Sequence, residues 1–243
     1  MIKSISKLLF IFLVVCLSCK TSLQTTDEST LQQQYKAAVA DAEIVEPQEV
    51  YKKLTAITAD NEKLVWKNID GAQHVLVLTW TSWDGYDDKV DKKMQLSREV
   101  WVTVVPELKA FVTKHKVSDS QLDLRLERLL GLPPHNKKTR LIEMWVKPTD
   151  LFRPSPDPEI DDHQAELTFP AGVSEAHKEW FDKKKQESYI NGGYPWTRLG
   201  YTYDWGNKRS EVGLSEFVVR EGASVWIKSA SANTDYFDFK KTE

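Results

Sequence analysis

Both cysteines of the chain, Cys16 and Cys19, lie within the first twenty of its 243 residues. The body that follows contains no thiol, so it can form no disulfide bond and offers no cysteine to zinc or to an iron–sulfur cluster. Thiol-based catalysis is excluded for the same reason. A chain of this length buries roughly 70% of its unfolded surface, so we expect a hydrophobic core alone to hold the fold.

The first residues have the pattern of a bacterial secretion signal. Two lysines, Lys3 and Lys7, precede the apolar stretch Leu8–Leu17, and the small residue Ser18 comes directly before Cys19. A helix of this stretch reaches only about 15 Å, half the thickness of the hydrocarbon core, so a permanent membrane span is disfavoured. We therefore expect the leader to be recognised as a signal peptide and removed before Cys19.

The four residues Cys16 to Cys19 resemble the lipobox of bacterial lipoproteins, in which the cysteine that follows a small residue is acylated. The resemblance implies lipidation of Cys19 and a protein held at a membrane surface by its acyl chains. Lys20, directly after the cysteine, is compatible with sorting to the outer membrane. The alternative is ordinary cleavage near Ser18, which would give a periplasmic or secreted protein without an anchor.

Charge and composition limit the partners. The formal net charge is −3 with 28% charged residues, so the chain lacks the basic surplus with which proteins bind nucleic acid through phosphate contacts. We expect the membrane to be a partner through the lipid anchor, and a glycan or another envelope protein to be a further one.

Strand and helix patterns alternate in mixed order along the body, without a repeated βαβ unit. Strands are predicted at 63–67, 73–80, 99–105, 140–146, 196–205 and 223–228, and helices at 31–43, 47–58, 106–115, 118–130 and 174–189. This order indicates an α+β fold, a single domain with a largely antiparallel sheet packed by several short helices. The predicted organisation is a signal peptide over residues 1–18, a lipidated cysteine with a polar tether over 19–30, and one globular domain over 31–243.

Two strand ends provide candidate ligand-binding residues. Trp83 and Asp84 follow the strand at 73–80, where an aromatic ring beside a carboxylate is the combination that binds sugars. In the strand at 196–205, Arg198 and Asp204 share the polar face, while Tyr203 belongs to the aromatic face. If the two strand ends lie close together, these five residues form one ligand surface; the alternative is that they are core and surface residues.

A proline-rich loop provides candidate catalytic residues for a hydrolase of glycan or peptide bonds. Asp157, Glu159, Asp161 and His163 cluster within seven positions. The spacing of the three acids resembles the start of an EF-hand, but Asp162 occupies the position that needs glycine, so no metal site is predicted. The simpler interpretation is a solvated acidic loop stiffened by proline.

General catalytic motifs are absent from the sequence. There is no H-E-x-x-H zinc motif, no phosphate-binding loop and no dinucleotide fingerprint, so we expect no cofactor. The five histidines are scattered, one per predicted element. The sequence therefore favours a binding module over an enzyme.

Several segments resemble those of a group of uncharacterised bacterial exported proteins, over about residues 95 to 240. The segments that carry the likeness are Trp101–Leu108, Arg128–Pro134, Met144–Ile160 and Pro195–Gly206, which includes PWTRLGYTYDWG. The resemblance implies an envelope protein with one continuous body, and it transfers no catalytic residue. The function expected from the sequence is a bacterial envelope lipoprotein that binds a ligand or another envelope component.

Overall fold

The computed structural model describes residues 27–190 and 193–237, so the leader, Cys19 and most of the tether lie outside the described ranges. The helices are α1 (Glu28–Ala42), α2 (Val105–Lys114), α3 (Leu122–Leu129), α4 (Glu175–Tyr189) and the short α5 (Asn233–Tyr236). The strands are β1 (Trp66–Ile69), β2 (Ala72–Thr81), β3 (Lys93–Gln95), β4 (Val100–Val104), β5 (Arg140–Val146), β6 (Leu151–Phe152), β7 (Tyr201–Tyr203), β8 (Val212–Ser215), β9 (Phe217–Val219) and β10 (Ser224–Ala232). Every strand pairing is antiparallel, which confirms the α+β fold class.

Eight of the strands form one sheet in the order β3-β10-β5-β2-β4-β9-β6, with β1 paired to the first half of β2, and β7 and β8 form a separate ribbon. Strand β2 is central, as its sequence predicts, because apolar residues alternate on both of its faces. Val75 and Val77 lie on one face, and Leu76, Leu78 and Trp80 lie on the other, all buried. The turn Asp70-Gly71 joins β1 to β2, and this confirms the predicted hairpin.

The two faces of the sheet support two separate cores. On one face, valines and isoleucines of the strands pack against the irregular segments around Ile57, Tyr86 and Leu96. On the opposite face, which we call the helical face, Leu76, Leu78 and Trp80 pack against leucines of α2 and α3. None of the helices in the described ranges combines the length and the apolar character that crossing a membrane requires.

The helix predicted at 47–58 is wrong. Only Pro47–Glu49 forms one turn of 3₁₀ helix, and the chain then runs irregularly toward β1. Its backbone bonds to the proline-rich loop instead, since Leu54 N–H donates to the carbonyl of His163 and Ile57 N–H to that of Ile160. Tertiary pairing therefore replaces the local helix.

The continuous strand predicted at 196–205 is also wrong, because the segment folds back on itself. Trp196 forms a bridge to Thr202, and the turn between them contains Arg198 at φ +60° and Gly200 at φ +72°. A Cβ atom on Gly200 would lie 2.7 Å from Cδ of Arg153, so glycine is required both by conformation and by space. The aromatic residues of this segment consequently divide between different clusters.

Candidate functional site

A cleft of about 640 Å³ opens beside strands β2 and β4, whose residues form its floor, and residues of both cores line it. Trp80 of β2 lies opposite Leu141 of β5, and Trp101 belongs to β4, which pairs with β2 at Val77 and Leu78. All three line the cleft. Two neighbouring strands thus each contribute an indole ring to the lining.

The adjacent row of the floor carries the polar groups. Leu78 of β2 is paired with Thr103 of β4, and Glu216 directly precedes Phe217 of β9, which is paired with Val102 of β4. Each of these residues lines the cleft. A carboxyl group therefore stands at the β9 side of an apolar and aromatic floor.

No described side chain donates a hydrogen bond to the carboxyl group of Glu216, and none forms an ion pair with it. Burial raises the pKa of Glu216 to about 8, and burial is the sole cause of that shift. The residue before it is held firmly, since Ser215 N–H donates to Oε2 of the buried Glu107 at 2.7 Å. The position of Glu216 is thus fixed while its carboxyl group stays available to a ligand.

Lys138 is a second group without a counterion in the cleft. It lines the cleft just before β5, and within the described residues no carboxylate pairs with its ammonium group. Burial lowers the pKa of Lys138, again with no contribution from a charged neighbour. Burial therefore disfavours the charged form at both Glu216 and Lys138, as it does in many functional sites.

Aromatic side chains form the walls. Trp83 is 52% exposed and Tyr194 is 54% exposed, although both are large rings that line the cleft. Trp196 is buried and meets Trp101 edge to face, with ring centroids 5.9 Å apart. Rings that border a cavity while remaining open to solvent are available for stacking with a ligand.

An ion-pair network lies at the rim next to α4. Nζ of Lys184 lies 3.1 Å from Oε2 of Glu187 and 3.7 Å from Oε2 of Glu99, which joins the helix to the segment before β4. These charges neutralise one another, unlike those of Glu216 and Lys138.

The five ligand-binding residues predicted from the two strand ends do not form a single surface. Trp83 and Tyr203 line the cleft, whereas Asp84, Arg198 and Asp204 do not. Asp84 is exposed, and its carbonyl accepts from the N–H of Asp87 to close a turn. The hydroxyl of Tyr203 donates to Asp41 at 2.7 Å.

Two of the three charged residues of this set, Arg198 and Asp204, have internal partners. Nη2 of Arg198 donates to the carbonyls of Ala42 and Glu43, where it caps the end of α1. Asp204 is 1% exposed and accepts two hydrogen bonds from the guanidinium group of Arg125. Both residues hold the fold together, and neither faces the cleft.

The four predicted catalytic residues also lie away from the cleft, in a loop built around the fully buried Arg153. Asp157 is buried and accepts the N–H of Glu159, while Asp161 is exposed. His163 is exposed and bonds through Nδ1 to the carbonyl of Leu54. The loop therefore has the contacts of a structural element.

Arg153 organises this loop from within. Its Nε donates to the carbonyl of Glu159 at 2.9 Å, and its Nη2 donates to the carbonyl of Asp162 at 2.9 Å and to its Oδ1 at 3.1 Å. Oxygen atoms of Asp157, Asp162 and Glu166 lie within 4.8 Å of one another, and burial together with Asp157 raises the pKa of Glu166. The guanidinium group of Arg153 supplies positive charge to this acidic group.

Sequence reasoning missed the residues that distinguish the cleft, namely Glu216, Lys138 and Trp101. Each belongs to a different element, and no motif connects them. The one available signal was the polar Glu216 next to the apolar strand Phe217–Val219, since a charged residue beside a buried strand needs an explanation.

Comparisons of the chain with protein-family models, with curated proteins and with solved structures found no match.

Proposed function

We propose that the chain is a ligand-binding module of the bacterial envelope and that its binding site is the aromatic cleft. The observation that carries the proposal is the combination of an apolar, tryptophan-lined cleft with one carboxyl group, Glu216, that has no partner among the described residues. Small-molecule sites have this composition, a largely apolar lining with a few convergent polar groups.

The size of the cleft indicates the class of ligand. A volume of about 640 Å³ suits a small organic molecule rather than a protein chain or a single ion. The aromatic lining, which includes Trp83, Trp101 and Trp196, favours a flat or extended apolar body that lies along the cleft. A molecule of this kind displaces water from the rings, and its affinity comes chiefly from that burial.

The exposed rings at the rim give a direct test. We expect the double variant Trp83→Ala/Tyr194→Ala to weaken binding of the neutral fluorescent probe N-phenyl-1-naphthylamine at least ~5-fold, because two aromatic contacts together contribute roughly 1–3 kcal/mol. The measurement is probe fluorescence in a titration with the purified protein.

Matched controls come from large apolar residues that are equally exposed but lie outside the cleft. Ile44 is 69% exposed and Leu167 is 41% exposed. The variant Ile44→Ala/Leu167→Ala is expected to bind the probe as the parent protein does. An equal loss of affinity in both double variants would show that the probe binds surface apolar residues in general, against the proposal.

The anchor is a separate part of the proposal, because Cys19 lies outside the described residues. The lipobox-like sequence, with Leu17 and Ser18 before the cysteine, supports acylation of Cys19. We expect the variant Cys19→Ser, expressed with its leader in a bacterium, to move from the membrane fraction to the soluble fraction. An intact-mass measurement without an acyl increment on the parent protein would contradict the anchor and leave the cleft proposal unaffected.

A hydrolase is the second candidate function, and one observation favours it. A carboxyl group with a pKa near 8 holds its proton at neutral pH, which is the state a general acid needs. The other carboxylates at the cleft, Glu99 and Glu187, are both paired with Lys184. Because a glycosidase needs a second free carboxylate, binding is the better supported function.

A further inference from the structure

The cleft contains one acidic and one basic side chain, and both lack a partner among the described residues. Glu216 and Lys138 both line it, and neither has a charged or hydrogen-bonding partner for its side chain among the described residues. Neither is sealed inside the protein, because no atom of either side chain is among the fully buried polar atoms that lack a partner. Both groups can therefore be reached from the cleft.

The two groups lie at opposite ends of the floor. Glu216 precedes β9, whereas Lys138 precedes β5, and β2 and β4 separate these two strands in the sheet. Three strand spacings correspond to about 14 Å across the sheet, and the strand registers add an offset of about five residues along it, so the two side chains form no direct ion pair. Trp80 and Trp101 occupy the strands between them.

Burial opposes charge at each end. It raises the pKa of Glu216 to about 8 and lowers the pKa of Lys138. A ligand that brings an opposite charge to each end would remove this penalty, because a desolvated charge is stabilised by a close partner. The tryptophan rings that line the same cleft add an attraction for a cation, which binds over the face of an indole.

We propose that the ligand of the cleft carries an ammonium group at one end and a carboxylate at the other, joined by an extended apolar body. The ammonium group pairs with Glu216, the carboxylate pairs with Lys138, and the body lies over Trp80 and Trp101. This inference rests on the proposed function, since it names the chemistry of the ligand for the same cleft.

The remaining charges at the cleft leave this assignment intact. Lys184 is neutralised by Glu99 and Glu187 at the rim. Arg98 is exposed, where water screens its charge. Glu216 and Lys138 are therefore the two charges on which a ligand can act most strongly.

Three probes of equal chain length test the inference in a crossed design: 8-aminooctanoate, octylamine and octanoate. Their affinities are measured by isothermal titration calorimetry at pH 7 with the parent protein and with the variants Glu216→Gln and Lys138→Met. We expect Glu216→Gln to weaken the binding of octylamine and of 8-aminooctanoate at least ~10-fold, since a buried charge pair contributes more than 1.4 kcal/mol. The affinity for octanoate is expected to stay within about twofold of that of the parent protein. We expect Lys138→Met to weaken the binding of octanoate and of 8-aminooctanoate and to leave the affinity for octylamine unchanged.

Exposed residues of the same types provide the controls, Glu221→Gln and Lys147→Met, and neither is expected to change any of the three affinities. Circular dichroism is used to check that each variant folds. If the protein binds N-phenyl-1-naphthylamine but all three chains bind alike in every variant, the dipolar ligand is excluded and the cleft remains a binding site. If neither that probe nor any of the three chains binds, the proposed function itself is excluded.

Discussion

Replacing Glu216 with glutamine is expected to raise the free energy of unfolding by about 4 kcal/mol at pH 8 and to change it little at pH 4. The carboxyl group holds its proton up to about pH 8 in the folded protein, whereas a glutamate in the unfolded chain has its ordinary pKa of 4.5. Between these values the unfolded state binds fewer protons, so rising pH favours unfolding. Stability from the protonated group is complete below about pH 4.5 and is lost as the pH rises to 8.

The measurement is urea unfolding, followed by tryptophan fluorescence, at several pH values for the parent protein and for Glu216→Gln. Other groups such as Glu107 also titrate, so the difference between the two proteins isolates the contribution of Glu216. The exposed Glu221→Gln is the matched control, and we expect it to alter stability by less than about 0.5 kcal/mol. A difference between parent and Glu216→Gln that stays constant from pH 4 to pH 8 would mean that the carboxyl group is well solvated.

The variant Arg153→Met is expected to lower the free energy of unfolding by about 3–5 kcal/mol, while a folded fraction keeps its affinity for N-phenyl-1-naphthylamine. Arg153 is fully buried and donates three hydrogen bonds to the loop that carries Asp162. Its removal leaves buried carbonyl groups without donors and the neighbouring carboxylates without their cation. Urea unfolding measures the loss, and the probe titration measures the cleft.

Two further substitutions control this result. Arg153→Lys keeps the charge but loses the fork of donors, so we expect a loss of stability between those of the parent and of Arg153→Met. Arg220 is exposed, and its guanidinium group lies 4.6 Å from the ring centre of Phe152. We expect Arg220→Met to lower the free energy of unfolding by less than about 1 kcal/mol. Equal stability of the parent and of Arg153→Met would contradict the structural role of the acidic loop.

The body of the fold could be predicted from the sequence because its strands carry a strong alternating pattern. Strand β5 has the predicted bounds, Arg140–Val146, and β2 is central because both of its faces are apolar. Helix α4 begins where Ser174 accepts the N–H of His177, as its sequence indicates. Local chemistry decides each of these elements, so one sequence suffices for them.

The predicted ligand residues show where sequence reasoning reaches its limit. Alternation along 196–205 placed Arg198 and Asp204 on one open face, but the positive φ angles at Arg198 and Gly200 break the strand. The partner of Asp204 is Arg125, which lies 79 residues earlier in the chain. Such a pairing depends on tertiary contacts that no local pattern contains.

The residues of the cleft could not be predicted from local patterns either, because its floor is formed by strands that are distant in sequence. Glu216 is brought to β4 because the next residue, Phe217 of β9, pairs with Val102. Seen in the sequence alone, Glu216 is one acidic residue among 36. Only the folded sheet shows that no counterion among the described residues reaches it.

Fluorine NMR of the protein labelled with 5-fluorotryptophan tests the central claim, that the cleft is the functional site, most directly. The nine tryptophans provide reporters over the whole fold, and single Trp→Phe variants assign them. On addition of N-phenyl-1-naphthylamine we expect shifts from the cleft tryptophans, Trp80, Trp83, Trp101 and Trp196, and none from the distant ones, Trp66, Trp145, Trp205 and Trp226. Shifts confined to the distant group, or no shift in any of the nine signals, would contradict the account.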